Sequence, residues 1–196
     1  MKKTIFILLF VLTFFAASIL LQGQEKRSRI GIGISMGKEI TSSNGSVLTL
    51  FDFPSIYVPI IISSKFRLEP GIGFYRYSDS STDWEKSTTI LSLSFGIFAV
   101  TRKDKVDIYY GVRNGLICTW DYDRYDWNGT ERYERSKTDY YFGPAMGGEY
   151  FFSKHFSLGG EVQLNYVFIG RWDGGDGGGT EGGIRTKTFI FVRWYL

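Results

Sequence analysis

The sequence predicts an all-β protein: an eight-stranded, antiparallel, up-and-down transmembrane β-barrel. Three observations carry this expectation. Past the first residues, apolar and polar side chains alternate with period two in run after run, the signature of a sheet with one apolar and one polar face. The breaks between runs alternate between short and long, as the turns of a meander do. The composition suits sheets with tight turns: 18% aromatic residues and 24 glycines, with no helical periodicity after Gly23.

The chain opens with Lys2 and Lys3, then an almost unbroken apolar stretch from Thr4 to Leu21 that ends at polar Gln22. This is the layout of a cleavable export signal. Cleavage is expected after Gly23, dividing the chain into a signal peptide (1–23) and a barrel domain (24–196), although Leu21 is larger than the residue usual three positions back. A retained anchor is the competing reading, since the stretch is long enough to span a bilayer. No basic stop-transfer cluster abuts it, the rest of the chain reads as a complete domain, and no cysteine near the junction would accept a lipid. Without Lys2 and Lys3, the 23 basic residues fall to 21 against 20 acidic ones. That near balance offers no basic face for nucleic acid. Cys118 is the only cysteine, which excludes an internal disulfide and cysteine-rich metal sites.

The strands follow in order. The first, near Arg29–Gly37, puts Ile30, Ile32, Ile34 and Met36 opposite Gly31, Gly33 and Ser35, and a polar loop, Lys38–Ser46, follows. The second lies within Val47–Ile62 and is irregular, because Pro54 and Pro59 interrupt its ladder. After the turn at Ser63–Lys65, the third sets Phe66, Leu68, Pro70, Ile72 and Phe74 against Arg67, Glu69, Gly71, Gly73 and Tyr75. A long polar break, Ser78–Ser87, precedes the fourth, in which Leu91, Leu93, Phe95, Ile97 and Ala99 oppose Ser92, Ser94, Gly96 and Phe98. A short charged turn, Arg102–Lys105, leads to the fifth, where Ile108, Tyr110, Val112, Leu116, Cys118 and Trp120 oppose Asp107, Tyr109, Gly111, Arg113 and Gly115. A longer loop, about Tyr122–Lys137, precedes the sixth, with Tyr140, Phe142, Pro144, Met146, Tyr150 and Phe152 opposite Tyr141, Gly143, Ala145, Gly147 and Glu149. Beyond the turn at Ser153–His155, the seventh (Phe156–Phe168) alternates most cleanly, with Glu161, Gln163 and Asn165 on its polar face. A glycine-rich loop, Asp173–Gly183, leads to the eighth, Arg185–Leu196.

Closure removes the two unpaired edges such a sheet would otherwise expose, and in lipid it is obligatory. Runs of about ten alternating residues suffice to cross a bilayer when tilted. The polar faces carry small residues suited to a crowded lumen, together with mid-strand charges of both signs. Aromatics recur near strand ends (Tyr77, Trp84, Trp120, Tyr140, Tyr166, Trp172, Trp194), as interfacial girdles require. Both observations turn the apolar face outward. The short turns and both ends of the barrel domain then share one side, the periplasm, and the longer loops lie outside.

The signal, the stretch FRLEPGIGFYRY (Phe66–Tyr77) and the stretch GPAMGGEYFFSKHFSLGGEVQLNYVF (Gly143–Phe168) resemble small outer-membrane β-barrels of the OmpA and OmpX type, especially the variety common in Bacteroidetes. The likeness covers essentially the whole of residues 24–196. The last stretch, FIFVRWYL (Phe189–Leu196), resembles the C-terminal strand recognised by the barrel-assembly machinery, with Phe191, Trp194 and Leu196 as the signal. Leu196 departs from the terminal phenylalanine or tryptophan usual there. The resemblance implies residence in the outer membrane of a Gram-negative-type bacterium, with outer-membrane lipid and the assembly machinery as partners. It implies architecture rather than activity.

Glu69, Arg113, Glu149, Glu161 and Arg193 are the candidate lumen charges. They read as a structural network in which carboxylates and guanidiniums satisfy one another, in preference to a proton or ion path. Trp120, Tyr122, Arg124, Tyr125 and Trp127 form the candidate recognition loop, since tyrosine, tryptophan and arginine dominate binding hot spots. Its ligand or surface partner is open. His155, the only histidine, falls in a predicted periplasmic turn, away from where a rim catalyst would need it. One histidine also excludes a histidine-rich metal site. The tract DGGDGGGTEGG lacks the repetition that calcium-binding glycine–aspartate motifs need. No cofactor, metal or catalytic residue is therefore expected. The function expected is that of a non-enzymatic outer-membrane barrel serving envelope integrity, surface-loop recognition or both. The alternatives are a soluble periplasmic barrel around an apolar ligand, a narrow pore, and a lipid-modifying barrel enzyme.

Overall fold

The structure, a computed structural model, describes residues 29–43, 46–51, 54–81, 84–125, 131–173 and 182–196. The expected signal peptide, Trp127 and most of the glycine-rich loop lie outside the described residues. Every regular element described is a β-strand: β1 (Arg29–Ser43), β2 (Ser46–Phe51), β3 (Ser55–Tyr57), β4 (Ile60–Ser63), β5 (Phe66–Ser81), β6 (Trp84–Lys103), β7 (Val106–Tyr125), β8 (Glu131–Phe151), β9 (Phe156–Phe168) and β10 (Gly182–Tyr195). The pairings are antiparallel throughout, and β10 returns to β1 from Gly31↔Tyr195 to Thr41↔Arg185. β2, β3 and β4 are pieces of one stave, so the ten strands make a closed barrel of eight staves.

The broken stave has a covalent cause. Val58 lies opposite Pro70 and its amide donates to the Pro70 carbonyl at 2.9 Å. Pro70 has no N–H with which to return the bond. On the other side Gly31 donates to the Pro59 carbonyl at 2.9 Å, and Pro59 likewise cannot reciprocate. The ladder therefore lapses at Val58–Pro59 on both flanks while its register continues. Between β2 and β3 the register itself slips: Phe51 faces Lys38 and Ser55 faces Ser35, one more residue on the broken stave than on β1. One extra residue on one strand is what a β-bulge inserts, and Pro54 immediately precedes β3.

The side-chain faces follow the sequence alternation, with the apolar side outward. Ile34, Met36, Phe74, Tyr110, Leu164 and Ile190 are 51–67% exposed, whereas Glu69, Arg113 and Arg193 are fully buried inside. A soluble barrel built to hold an apolar ligand needs the opposite polarity, so that alternative is overturned.

The strands are longer than the alternation suggests. Ser78–Ser87 and Tyr122–Lys137, read above as loops, are mostly strand: β5 runs to Ser81, β6 starts at Trp84, β7 reaches Tyr125 and β8 starts at Glu131. Opposite charges facing each other across the ladders favour this extension, for example Asp79↔Lys86, Lys86↔Asp123, Glu85↔Arg124 and Asp121↔Arg135. The Lys38–Ser46 loop is likewise largely a β1–β2 hairpin. β6, β7 and β8 have 20, 20 and 21 residues, whereas about ten tilted residues cross the hydrocarbon. Their far halves therefore project past the apolar belt, on the side opposite the short turns.

Candidate functional site

Five staves converge on the lumen charges. Arg113 of β7 donates to Glu69 of β5 at 2.7 Å and, through Nε and Nη2, to Glu161 of β9 at 2.8 and 2.9 Å. Arg193 of β10 donates to Glu69 at 2.7 Å and to Glu149 of β8 at 2.9 Å. Arg67 of β5 completes the set: Nη1 lies 2.8 Å from Glu149 and Nε 3.4 Å from Glu69. Glu69, Arg193, Glu149 and Arg67 thus form a closed ring of alternating charge, from which Arg113 and Glu161 extend. These three arginines and three glutamates balance. Each is almost wholly buried, where a lone charge would cost several kcal/mol.

Neutral groups complete the network. Tyr109 and Gln163 donate to Glu161 at 3.0 and 2.7 Å, and Asn165 donates to Gln163 at 3.0 Å. Tyr195 and Ser157 donate to Glu149 at 2.7 and 2.5 Å. Aromatic faces cover the guanidiniums: Arg193 stands 3.7 Å from the Phe191 ring centroid, Arg67 3.8 Å from that of Tyr109, and Arg113 4.8 Å from that of Tyr57. Such contacts retain cations where water is excluded. Buried Phe98, Tyr141 and Phe189 fill more of the lumen, while Tyr75, which shares its alternation with Arg67 and Glu69, is 41% exposed. This arrangement cross-links staves. It presents no nucleophile beside a free base, and among the described residues no cluster of His, Cys, Asp and Glu could hold a metal.

The candidate recognition residues lie elsewhere, and on a strand instead of a loop. Trp120 is 45% exposed at the upper edge of the apolar belt. Tyr122 and Arg124 continue its face up the projecting part of β7, and Tyr125 ends that strand. Across this hairpin Asp121 faces Arg135, and on the other flank Glu85 and Lys86 of β6 face Arg124 and Asp123 of β7. On its lumen side Asp121 accepts hydrogen bonds from Thr88 and Arg135 at 2.8 and 3.3 Å. The Trp172 ring lies beneath Arg135 (4.7 Å) and Lys137 (5.2 Å), and Asp173 accepts a bond from the Ser136 hydroxyl. The segment after β9 is thereby tied to β8.

The closing strand divides the three residues expected to form the assembly signal between two faces. Phe191 points into the lumen, whereas Trp194 and Leu196 point outward, 56% and 79% exposed. His155 is more than a solvated turn residue: its Nδ1 lies 2.8 Å from the Tyr195 carbonyl and its ring stacks on Trp194. Sequence reasoning leaves Arg67 out of the network although it shares a face with Glu69, because it stands next to a turn. It also reads Tyr109 and Tyr195 only as lumen filling or closing strand, since alternation identifies a face but not a hydrogen-bond partner.

No family model matches the chain, and no curated protein matches it. Solved structures do. A major outer membrane protein from Thermus thermophilus superposes with a TM-score of 0.56 at 13% identity, over 87% of this chain and 100% of that one. Ail, the attachment invasion locus protein of Yersinia pestis, solved with the heparin analogue sucrose octasulfate, gives 0.51 at 12% identity, over 87% and 99%. The fold is that of a small outer-membrane β-barrel. At such identities the likeness is one of architecture. The outer-membrane-type barrel here combines an apolar exterior, a charged and filled lumen, and hairpins that project from one end only.

Proposed function

We propose that this chain is a non-enzymatic integral outer-membrane protein of a Gram-negative-type bacterium. Its sealed body strengthens the envelope, and its β7–β8 hairpin contacts a ligand or another surface. The observation that carries this reading is the inverted polarity: apolar side chains outside, and a neutralised, tightly bonded ionic network within. A bilayer is the solvent that rewards such an exterior. The partners proposed are outer-membrane lipid along the belt, the assembly machinery at β10, and an unidentified surface partner at the hairpin.

The filled lumen speaks against a pore, since buried guanidiniums and aromatic rings occupy its interior. The position of His155 at the short-turn end, engaged with Tyr195, speaks against a histidine-dependent enzyme at the outer rim. The test is gel mobility of the mature chain refolded in detergent, with and without boiling. A heat-dependent shift supports the membrane barrel. An unshifted band, together with solubility in plain buffer, would overturn it. Planar-bilayer recordings extend the test: steady single-channel steps would replace the structural reading with the pore.

A further inference from the structure

The short-turn end carries a second site. The β6–β7 turn and the β8–β9 turn flank the point where β7 and β8 begin to pair, at Val106↔Tyr150. Between them lies a cleft of about 350 Å³ lined by Arg102, Lys105, Phe151, Phe152, Ser153 and Lys154, with Asp104 and Asp107 completing the wall.

The cleft is built from restrained parts. Arg102 donates through Nε and Nη2 to Asp107 at 2.7 and 2.6 Å. The Asp107 side chain is only 3% exposed and that of Arg102 is 36%. One edge of the guanidinium is thus committed to a buried carboxylate, and the Nη1 edge is left for another acceptor. A guanidinium held this way is preorganised for a planar or phosphate-like anion. The walls are tied as well: Phe151 donates to the Lys105 carbonyl at 2.8 Å, and the Ser153 hydroxyl oxygen accepts the amides of His155 and Phe156 at 3.2 and 3.1 Å. Because Arg102 neutralises Asp107, Lys105 and Lys154 outweigh Asp104. Phe152, 55% exposed, continues the outward aromatic face of Tyr150, the two rings meeting edge-to-face at 5.0 Å. A basic cleft therefore opens at the short-turn rim, with Arg102 and Asp107 on the inward-facing side of the wall and Phe152 on the outward one.

We propose that this cleft binds the phosphate-bearing headgroup of an anionic glycerophospholipid in the leaflet around the short-turn end. The phosphate meets Arg102, Lys105 and Lys154, and the acyl chains lie along Phe152 and Tyr150. The proposal rests on the reading of the chain as a membrane barrel. Basic side chains at a membrane surface attract anionic lipid in this way, with a strength that falls as salt rises.

The test uses the mature folded barrel in neutral detergent, incubated with phosphatidylglycerol, with phosphatidylcholine of the same chains or with inorganic phosphate, and native mass spectrometry to count what is retained. The variant is Lys105→Gln with Lys154→Gln, which leaves the Arg102–Asp107 pair intact. The wild-type chain is expected to retain phosphatidylglycerol preferentially, and the variant to bind it at least about tenfold more weakly at low salt while keeping its heat-dependent gel shift. Equal retention of both lipids, undiminished phosphatidylglycerol binding by the variant, or retention of inorganic phosphate without lipid would each overturn the proposal. Failure of the membrane reading shows separately, as a wild-type band that does not shift before any lipid is added.

Discussion

Arg113 and Glu161 grip each other through two hydrogen bonds, 2.8 and 2.9 Å long, although β7 and β9 are not neighbours. The pair reaches over β8, whose inward positions Gly143, Ala145 and Gly147 are small. The lumen is thus clamped across staves as well as along them. Backbone pairing alone joins only adjacent strands, so these side chains add a constraint the ladders cannot supply.

Removing one partner of that clamp leaves the other charge buried. Glu161→Ala is expected to lower barrel stability by about 3–5 kcal/mol, read from denaturant unfolding in detergent. Arg113→Met combined with Glu161→Met is expected to cost less than the sum of the single changes, because neither charge is then stranded. Wild-type-like unfolding of Glu161→Ala would refute the clamp.

Gly147 is where β8 makes room. A Cβ there would collide with the Tyr109 ring and hydroxyl and with the Gly160 carbonyl. Gly147→Val should therefore destabilise by about 1–3 kcal/mol and displace Tyr109 from Glu161. Unfolding midpoints and tyrosine fluorescence check this, and a neutral result would mean that the staves separate more readily than their packing implies.

The projecting hairpin should be separable from the barrel. Replacing residues 123–133 with Asn-Gly joins Tyr122 to Glu134, which face each other across the ladder. Because the hairpin lies beyond the apolar belt and its cross-strand charge pairs are only part-buried, stability should change by no more than about 1 kcal/mol, with the gel shift retained. Adhesion of cells displaying the shortened protein to a surface that binds wild type should disappear. Unaltered adhesion would move recognition to another hairpin.

Asp104 has φ of 53°, a left-handed conformation that costs non-glycine residues about 1 kcal/mol. Asp104→Gly is expected to stabilise the β6–β7 turn by somewhat less than that, since glycine also loses more chain entropy on folding. Slower unfolding in detergent would be the sign, and faster unfolding would count against strain at this turn.

Period-two alternation was sufficient to identify the staves and their two faces, because each side-chain direction follows from position in a strand, and the small and charged residues of one face, with the aromatics near strand ends, identified the outward side. It also placed Glu69, Arg113, Glu149, Glu161 and Arg193 on the inner wall, and Pro54 and Pro59 in the irregular stave. Where strands stop was less legible. Ser78–Ser87 and Tyr122–Lys137 are polar, like loops, and only their partners across the ladder make them strand.

The sequence by itself determined the barrel and its polarity, since closure and face assignment depend on local alternation and on the cost of unpaired backbone. Tertiary structure decided which charges meet. It brought Arg67 into the ring with Glu69, Glu149 and Arg193, joined Arg113 to Glu161 over β8, and set Lys105 beside Lys154 at the rim. Those distances depend on stave order, register and curvature, which act between segments far apart in the chain and leave no periodic trace within any one of them.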